Sequence, residues 1–200
     1  MIKTSMAMAA TALLVTLPAA ALAADAQGSF AVRGVGSQTC KALTDQVTAK
    51  SANVGLALES WVGGYLTAMN RMQGDTFDAS PIMANGALAQ MVLNVCQRAP
   101  TSSVETVTFD IFRALGPARV HKASTNVEAQ SGANKVIVRK DTLVAMQTEL
   151  ARQGLYKEAP TGLFTPATSA ALKAFQVKAK LAQTGLPDPA TTIALLAPGR

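Results

Sequence analysis

Side chains that could perform acid–base or nucleophilic chemistry are few in this 200-residue chain. It has one histidine, His121, so a His-rich zinc site cannot be assembled, and a Ser-His-Asp triad would have to use that residue. A glycosidase needs two suitably placed carboxylates, and no acidic residue lies in a recognisable motif of that kind. The sequence therefore predicts a protein that is not an enzyme and that uses no metal and no cofactor. The acidic residues considered for such a pair are Glu59, Asp75, Asp78 and Glu105.

The first 24 residues are organised like a secretory signal peptide. Lys3 gives a positive start, an apolar stretch follows, Pro18 interrupts it, and Ala21-Leu22-Ala23 provides a small-x-small cleavage motif. The apolar stretch is too short for a persuasive membrane span. We therefore expect export to the periplasm, cleavage near Ala23, and no membrane insertion afterwards.

The two cysteines, Cys40 and Cys96, admit two interpretations. A thiolate nucleophile needs a neighbouring base, usually histidine, and His121 lies in a poor context for that role. In an oxidising compartment an isolated pair of cysteines most often forms a disulfide. On the chain-entropy model, closing so long a loop stabilises the folded state by roughly 4 kcal/mol. We therefore predict a Cys40–Cys96 disulfide.

Helical periodicity predicts four helices within residues 37–115. Ser37 or Thr39 can serve as the N-cap of the first helix. The second helix has the clearest amphipathic pattern in the protein. Ser102 and Glu105 have the spacing of a capping box at the start of the fourth. The predicted disulfide would tie the first helix to the third.

The composition changes at residues 116–135, which are polar, rich in small side chains and without periodicity. Such a segment is typical of a flexible linker, and its length would span on the order of 25 Å. His121 lies in it, between Arg119 and Lys122. A pH sensor or a metal ligand is one interpretation of this histidine, and a solvated linker residue is the simpler one.

Two similar stretches, "TPATSAALKAFQ" and "DPATTIALL", lie within residues 136–200. Thr165 and Asp188 are suitable N-caps, and Pro166 and Pro189 occupy the first helical position, where the missing N–H costs nothing. The two openings therefore predict two short helices, each starting sharply after a turn that contains glycine. Together with a preceding helix, they make a three-helix unit, and the whole chain is predicted to be all-α.

The order of residues in this region resembles the peptidoglycan-binding-domain-like three-helix module of bacterial cell-wall proteins. The resemblance covers about 60 residues and implies a peptidoglycan-binding role. Three turn positions depart from the family pattern, namely Thr161, Thr165 and Asp188. The matching residues are Val144, Gln147, Leu150, Gly154, Tyr156, Gly162, Phe164, Thr168, Ala171, Leu172, Phe175, Gln176, Leu181, Thr184, Gly185, Thr192 and Leu196.

The resemblance implies a shallow groove near the two turns, where hydroxyl, amide and backbone groups would contact sugars or short peptides of the wall. Phe175 is assigned to the core, and Gln147 and Gln176 could equally bond to the backbone of the loops. The candidate ligand-binding residues are Tyr156, Phe164, Thr165, Thr168, Gln176 and Thr184.

The N-terminal region resembles small disulfide-linked periplasmic acid-stress chaperones of the HdeA-like group. The matching features are Thr39-Cys40, Trp61, Gly64, Cys96 and Pro100. This resemblance implies a helical domain that exposes apolar surface at low pH, although the region has few acidic residues to act as a trigger.

These observations predict an exported protein of two domains, a disulfide-linked four-helix domain (37–115) and a peptidoglycan-binding-like domain (136–200). The first would bind a periplasmic protein or act as a stress chaperone, and the second would bind peptidoglycan non-covalently. The alternative is an accessory or remnant subunit of a peptidoglycan hydrolase. The net charge, which falls from +6 to +5 once Lys3 is removed, favours an anionic polymer. No alternation of basic and aromatic residues suggests nucleic acid.

Overall fold

The computed structural model describes residues 24–25 and 27–197, and the predicted signal peptide lies almost entirely outside them. In the described part of the chain, no helix combines the length and apolarity that crossing a bilayer would require. Short 3-10 turns occupy Gly34–Ser37 and Gly116–Ala118. The remaining elements are α1 (Cys40–Thr48), α2 (Val54–Met72), α3 (Asn85–Cys96), α4 (Val104–Leu115), β1 (Asn126–Ser131), β2 (Asn134–Arg139), α5 (Lys140–Arg152), α6 (Pro166–Lys178) and α7 (Pro189–Leu196).

The four predicted helices of the N-terminal region are present, and the predicted disulfide joins the start of α1 to the end of α3. Thr39 is the N-cap of α1, and its side chain accepts a hydrogen bond from the Ala42 amide at 3.2 Å. The four helices share one apolar core, in which both cysteines are fully buried. The helical fold and the disulfide are therefore confirmed.

The predicted capping box at the start of α4 is wrong. Ser103, one residue later than Ser102, is the N-cap and accepts a hydrogen bond from the Thr106 amide at 3.0 Å. Glu105 is instead buried, and its carboxylate accepts a hydrogen bond from the Tyr65 hydroxyl at 3.0 Å. Burial in the core, rather than the local capping preference, decides where this carboxylate points.

Residues 126–139, which overlap the segment predicted to be a linker, form an antiparallel β-hairpin. Its register runs from Asn126 opposite Arg139 to Ser131 opposite Asn134. Gly132 begins the two-residue turn with a φ of 59°, which glycine adopts without strain. Only one residue of each strand is buried, so the alternation that signals a strand is faint in the sequence. The fold remains mostly helical, with this small sheet added, and the domain boundaries at this segment stay a prediction.

A largely buried ion pair joins the base of the hairpin to the N-terminal helical region. The Arg139 guanidinium donates to the Asp78 carboxylate from Nη2 at 2.7 Å and from Nε at 3.2 Å. Side-chain exposure is 7% for Asp78 and 17% for Arg139. Arg139 also lies 4.9 Å above the Phe77 ring, and the Asp78 backbone pairs with that of Val120. The loop before α3 therefore contacts the segment that leads to α5 at two places, near its start at Val120 and at its end at Arg139.

The three helices α5, α6 and α7 pack around a second apolar core. This core includes Met146, Leu150, Leu172, Phe175 and Leu195. The C-terminal end of α7 also reaches the first core, through Ile193 and Ala197. From Val32 onward the described residues form one compact unit.

Replacing Asp78 by Ala should destabilise the protein by about 3–5 kcal/mol, because it leaves the Arg139 guanidinium buried without its carboxylate. Urea denaturation monitored by circular dichroism measures the loss. Asp110→Ala is the matched control, since it breaks an exposed pair with Arg113 and should cost less than about 1 kcal/mol. Equal losses in the two variants would contradict a buried, structurally important pair.

Burial, followed by the hydrogen bond to Glu105 and its negative charge, raises the pKa of Tyr65 above its ordinary value of about 10. The folded state then holds this proton more tightly than the unfolded state does. The resulting stabilisation is complete below about pH 10 and is lost as the pH rises beyond it.

In a Tyr156→Phe background, the ultraviolet absorbance of tyrosinate reports Tyr65 alone, because the chain has two tyrosines. We expect Tyr65 to ionise above the ordinary range of a free tyrosine, together with alkaline unfolding. Reversible ionisation near the ordinary value in the folded protein would show that the prediction is wrong. A Glu105→Gln variant removes the charge and should lower the titration point.

Candidate functional site

Gln147, on α5, binds the first turn of the module from inside. Its Oε1 accepts a hydrogen bond from the Gly162 amide at 2.8 Å. Its Nε2 donates to the Leu163 carbonyl at 2.8 Å and to the Thr168 hydroxyl at 2.9 Å. One fully buried side chain therefore fixes the turn and the first turn of helix α6.

Gln176, on α6, binds the second turn with the same pattern of contacts. Its Oε1 accepts from the Gly185 amide at 2.8 Å, and its Nε2 donates to the Leu186 carbonyl at 3.1 Å and to the Thr191 hydroxyl at 2.9 Å. The second network has one addition. The Thr184 oxygen also lies 2.8 Å from Gln176 Nε2, where it shares the two Nε2 hydrogens with the other acceptors, and its hydroxyl donates to Asp188 Oδ2 at 2.6 Å. We call these two networks the glutamine clamps.

The clamps explain the shared openings of α6 and α7. Thr165 and Asp188 are the N-caps of the two helices, and each is followed by proline at the first helical position, as predicted. The preceding glycines, Gly162 and Gly185, have φ values of 71° and 66°. An added Cβ would lie 2.6 Å from a side-chain atom in both cases, Lys140 Cγ at Gly162 and Ser169 Oγ at Gly185, so the turns require glycine. The two similar stretches of sequence therefore reflect the same type of glycine-containing turn, used once before α6 and once before α7.

The structure places the six predicted ligand-binding residues around these turns, and their direct contact with a ligand stays a prediction. Thr168 and Gln176 are fully buried, with their polar atoms bonded inside the protein. Tyr156 is 5% exposed, and its hydroxyl donates to Glu158 at 3.3 Å. The other three, Phe164, Thr165 and Thr184, are partly exposed.

The sequence left two roles open for Gln147 and Gln176, bonding to the backbone of the loops or contact with a ligand, and the structure shows the backbone bonds for both. One signal favours the clamp role of Gln147. It is a polar residue at a core-facing position of a helix, and a glycine-containing turn follows that helix. Close to it on α5, a hydrogen bond from Arg152, helped by its charge, lowers the pKa of the Glu149 carboxyl. Because Arg152 is exposed, this pair adds little to stability.

A groove of about 470 Å³, here called the hairpin groove, lies where the module meets the hairpin and the N-terminal region. Its lining is predominantly apolar, with Asn126, Lys135 and Thr192 as polar members. Ile137, on β2, is 56% exposed in its wall. Its size falls within the range of ligand sites, about 300–1,000 Å³. The lining residues are Pro81, Ile82, Met83, Ala84, Asn126, Lys135, Val136, Ile137, Val138, Pro187, Pro189 and Thr192.

Of these, Pro187, Pro189 and Thr192 belong to the second turn of the module and the start of α7. None of the six predicted ligand-binding residues lines the groove. The sequence gives no local sign of this groove, because its walls come from three distant segments of the chain.

Replacing Gln147 by Leu should lower stability by about 3 kcal/mol, because the Gly162 amide and the Leu163 carbonyl both lose a buried partner. Scanning calorimetry measures the change in Tm and enthalpy. Gln153→Leu, at the C-cap of the same helix, is the control, since this side chain is only partly buried and bonds to Glu149. A clamp role is wrong if the two variants unfold at the same temperature.

Comparison with protein families gives a match over residues 139–195, to the family described as "Putative peptidoglycan binding domain". No curated protein and no solved structure matches the chain. The matched interval runs from the end of β2 to the last turn of α7, so it contains all three helices and both glutamine clamps. The resemblance of the C-terminal module to peptidoglycan-binding domains is thereby confirmed, and it supports peptidoglycan binding by this part of the chain.

Proposed function

We propose that this chain is an exported, cell-wall-associated protein of the periplasm that binds peptidoglycan non-covalently through its C-terminal module. The observation that carries the proposal is the family match over α5, α6 and α7. Two clamps hold the turns of this module in fixed conformations, so its surface is preorganised. The positive net charge favours association with an anionic polymer.

Export rests on the organisation of residues 1–24 as a cleavable signal. The Cys40–Cys96 disulfide supports it, because such bonds persist in oxidising compartments such as the bacterial periplasm.

The hairpin groove is our candidate for the surface that receives the wall polymer. It adjoins the second turn of the module, and its apolar lining suits the acetyl groups and C–H faces of amino sugars. Lys135 and Asn126 at its wall can orient a polar or anionic group. In this arrangement the module contributes one wall, and the hairpin with residues 81–84 contributes the others.

The chain acts, in this proposal, as a binding protein rather than as an enzyme. Three of the acidic residues considered for catalysis have structural partners: Asp75 pairs with His121, Asp78 with Arg139, and Glu105 with Tyr65. The N-terminal helical region would bind a periplasmic protein or act as a stress chaperone. It exposes several large apolar side chains that suit either role: Leu56, Met72, Phe77 and Phe109.

Retention on purified peptidoglycan sacculi tests the proposal. Truncation at residue 136 is a poor test, because Ile193 of α7 and Ala197, which follows it, pack against the first core. We therefore use Ile137→Ser, which changes the groove, and Leu56→Ser, which changes an equally exposed apolar side chain on α2. The processed protein should be retained, the groove variant should lose retention severalfold, and the α2 variant should behave like the parent.

Failure of the parent protein to sediment with sacculi would overturn the proposed function. Equal retention of the two variants would remove the groove from it. The turbidity of the same suspensions should stay constant, whereas clearing would show an enzymatic activity of the protein itself. The alternative, an accessory or remnant subunit of a peptidoglycan hydrolase, predicts clearing only when the enzymatic partner is added.

A further inference from the structure

A second cavity, of about 320 Å³, lies between residues 117–122 and the N-terminal end of α5. We call it the basic cavity, because Arg119, His121 and Lys122 line it and Asp141 is its acidic member. Its volume is at the lower end of the range for ligand sites, so it suits a small group. The lining residues are Pro117, Ala118, Arg119, Val120, His121, Lys122, Asp141, Thr142 and Ala145.

Two buried polar atoms of this cavity's residues lack a partner. Among the described residues, Arg119 Nε and Thr142 Oγ1 are the buried side-chain nitrogen and oxygen atoms without a hydrogen bond. Thr142 is 3% exposed, and it lies in the first turn of α5. Leaving a buried donor or hydroxyl unpaired costs about 1–3 kcal/mol, so native proteins rarely do so without a reason. Both atoms belong to residues that line one cavity, which points to a ligand that supplies the partners.

Two basic side chains of the cavity, Arg119 and His121, are held in place by contacts with other residues. Arg119 donates from Nη1 to the Gly116 carbonyl at 3.1 Å, and its Nη2 lies 3.7 Å from an Asp75 carboxylate oxygen. His121 Nδ1 lies 3.0 Å from the Asp75 carbonyl oxygen and 2.8 Å from its Oδ2. Because both neighbours are acceptors, Nδ1 carries the hydrogen. These contacts hold the two terminal nitrogens of Arg119, while its buried Nε–H has no partner among the described residues.

The position at a helix N-terminus adds to the preference for negative charge. The amides of Lys140 and Asp141 are bonded to the Thr125 carbonyl at 2.8 Å and the Ser124 hydroxyl at 3.0 Å. The positive end of the α5 dipole remains and favours an anion near the first turn. Lys122, which is exposed, adds a further positive charge.

We infer that the basic cavity binds a carboxylate of a peptidoglycan stem peptide, with Arg119 Nε and the Thr142 hydroxyl each donating to one of its two oxygens. A carboxylate matches the pair because it is a planar acceptor of two bonds, and charge-assisted bonds of this kind are the stronger ones. This inference rests on the proposed function, which supplies the polymer. It adds a second contact point, formed partly by residues outside the family match.

Asp141 makes the inference more specific, because its charge opposes an anion in the same cavity. The residue lies in the first turn of α5, where an acidic side chain stabilises the helix. If the ligand is a carboxylate, Asp141→Asn should strengthen binding about twofold to fivefold. If the cavity instead takes a cationic group, the same variant should weaken binding.

The test is a titration of the processed protein, followed by nuclear magnetic resonance, with a synthetic stem peptide that has free carboxylates. The same peptide with every carboxylate amidated and inorganic phosphate are the comparison probes. Thr142→Val removes the unpaired hydroxyl and keeps the side-chain shape. It should weaken peptide binding about tenfold, while the Tm of the unliganded protein stays equal or rises.

Two further variants complete the design. Thr148→Val, on the same helix, removes an exposed hydroxyl that bonds to the Val144 carbonyl, and it should leave peptide binding unchanged. Arg119→Lys keeps the positive charge and removes the Nε donor, so it should weaken binding as Thr142→Val does.

Equal affinity for the free and amidated peptides, an unchanged affinity in Thr142→Val, or tighter binding of phosphate than of the peptide would each overturn the inference. Sacculus retention distinguishes this result from failure of the proposed function. A protein that is retained on sacculi but shows no Thr142-dependent peptide binding contradicts this inference alone. A protein that is not retained contradicts the proposed function.

Discussion

The buried ion pair between Asp78 and Arg139 is the contact on which the arrangement of this protein depends. Arg139 is the last residue of the hairpin and directly precedes α5, so fixing its guanidinium fixes the start of the C-terminal module. The same loop pairs its backbone with Val120, which brings residues 117–122 to the N-terminal end of α5. Both cavities form beside this junction, because they are bounded by the segments that it brings together.

Inside the module, the two glutamine clamps stabilise the turns from their buried side. Gln147 and Gln176 use their amide groups to satisfy turn backbones that would otherwise be buried without partners. The similar openings of α6 and α7 thus reflect the requirements of folding. In our proposal, recognition uses exposed residues of the turns and the cavities at the edges of the module.

The proposed wall-binding surface extends beyond the segment that matches the peptidoglycan-binding family. The hairpin groove takes one wall from the module and others from residues 81–84 and from the hairpin. The basic cavity combines α5 with residues 117–122. The family match therefore supports the class of polymer, whereas segments particular to this chain shape the sites where we propose that it binds.

The sequence by itself determined the elements whose causes are local. Helical periodicity, the caps at Thr39, Thr165 and Asp188, and the resemblance of the C-terminal module needed only neighbouring residues, and the structure confirms them. Only the tertiary structure decided the rest. The hairpin has little buried surface to mark it in the sequence. Glu105 bonds to a tyrosine forty residues away instead of capping α4. The cavities join segments that are far apart in the chain. Their cause is burial and pairing between distant residues, and a single sequence carries no local signal of either.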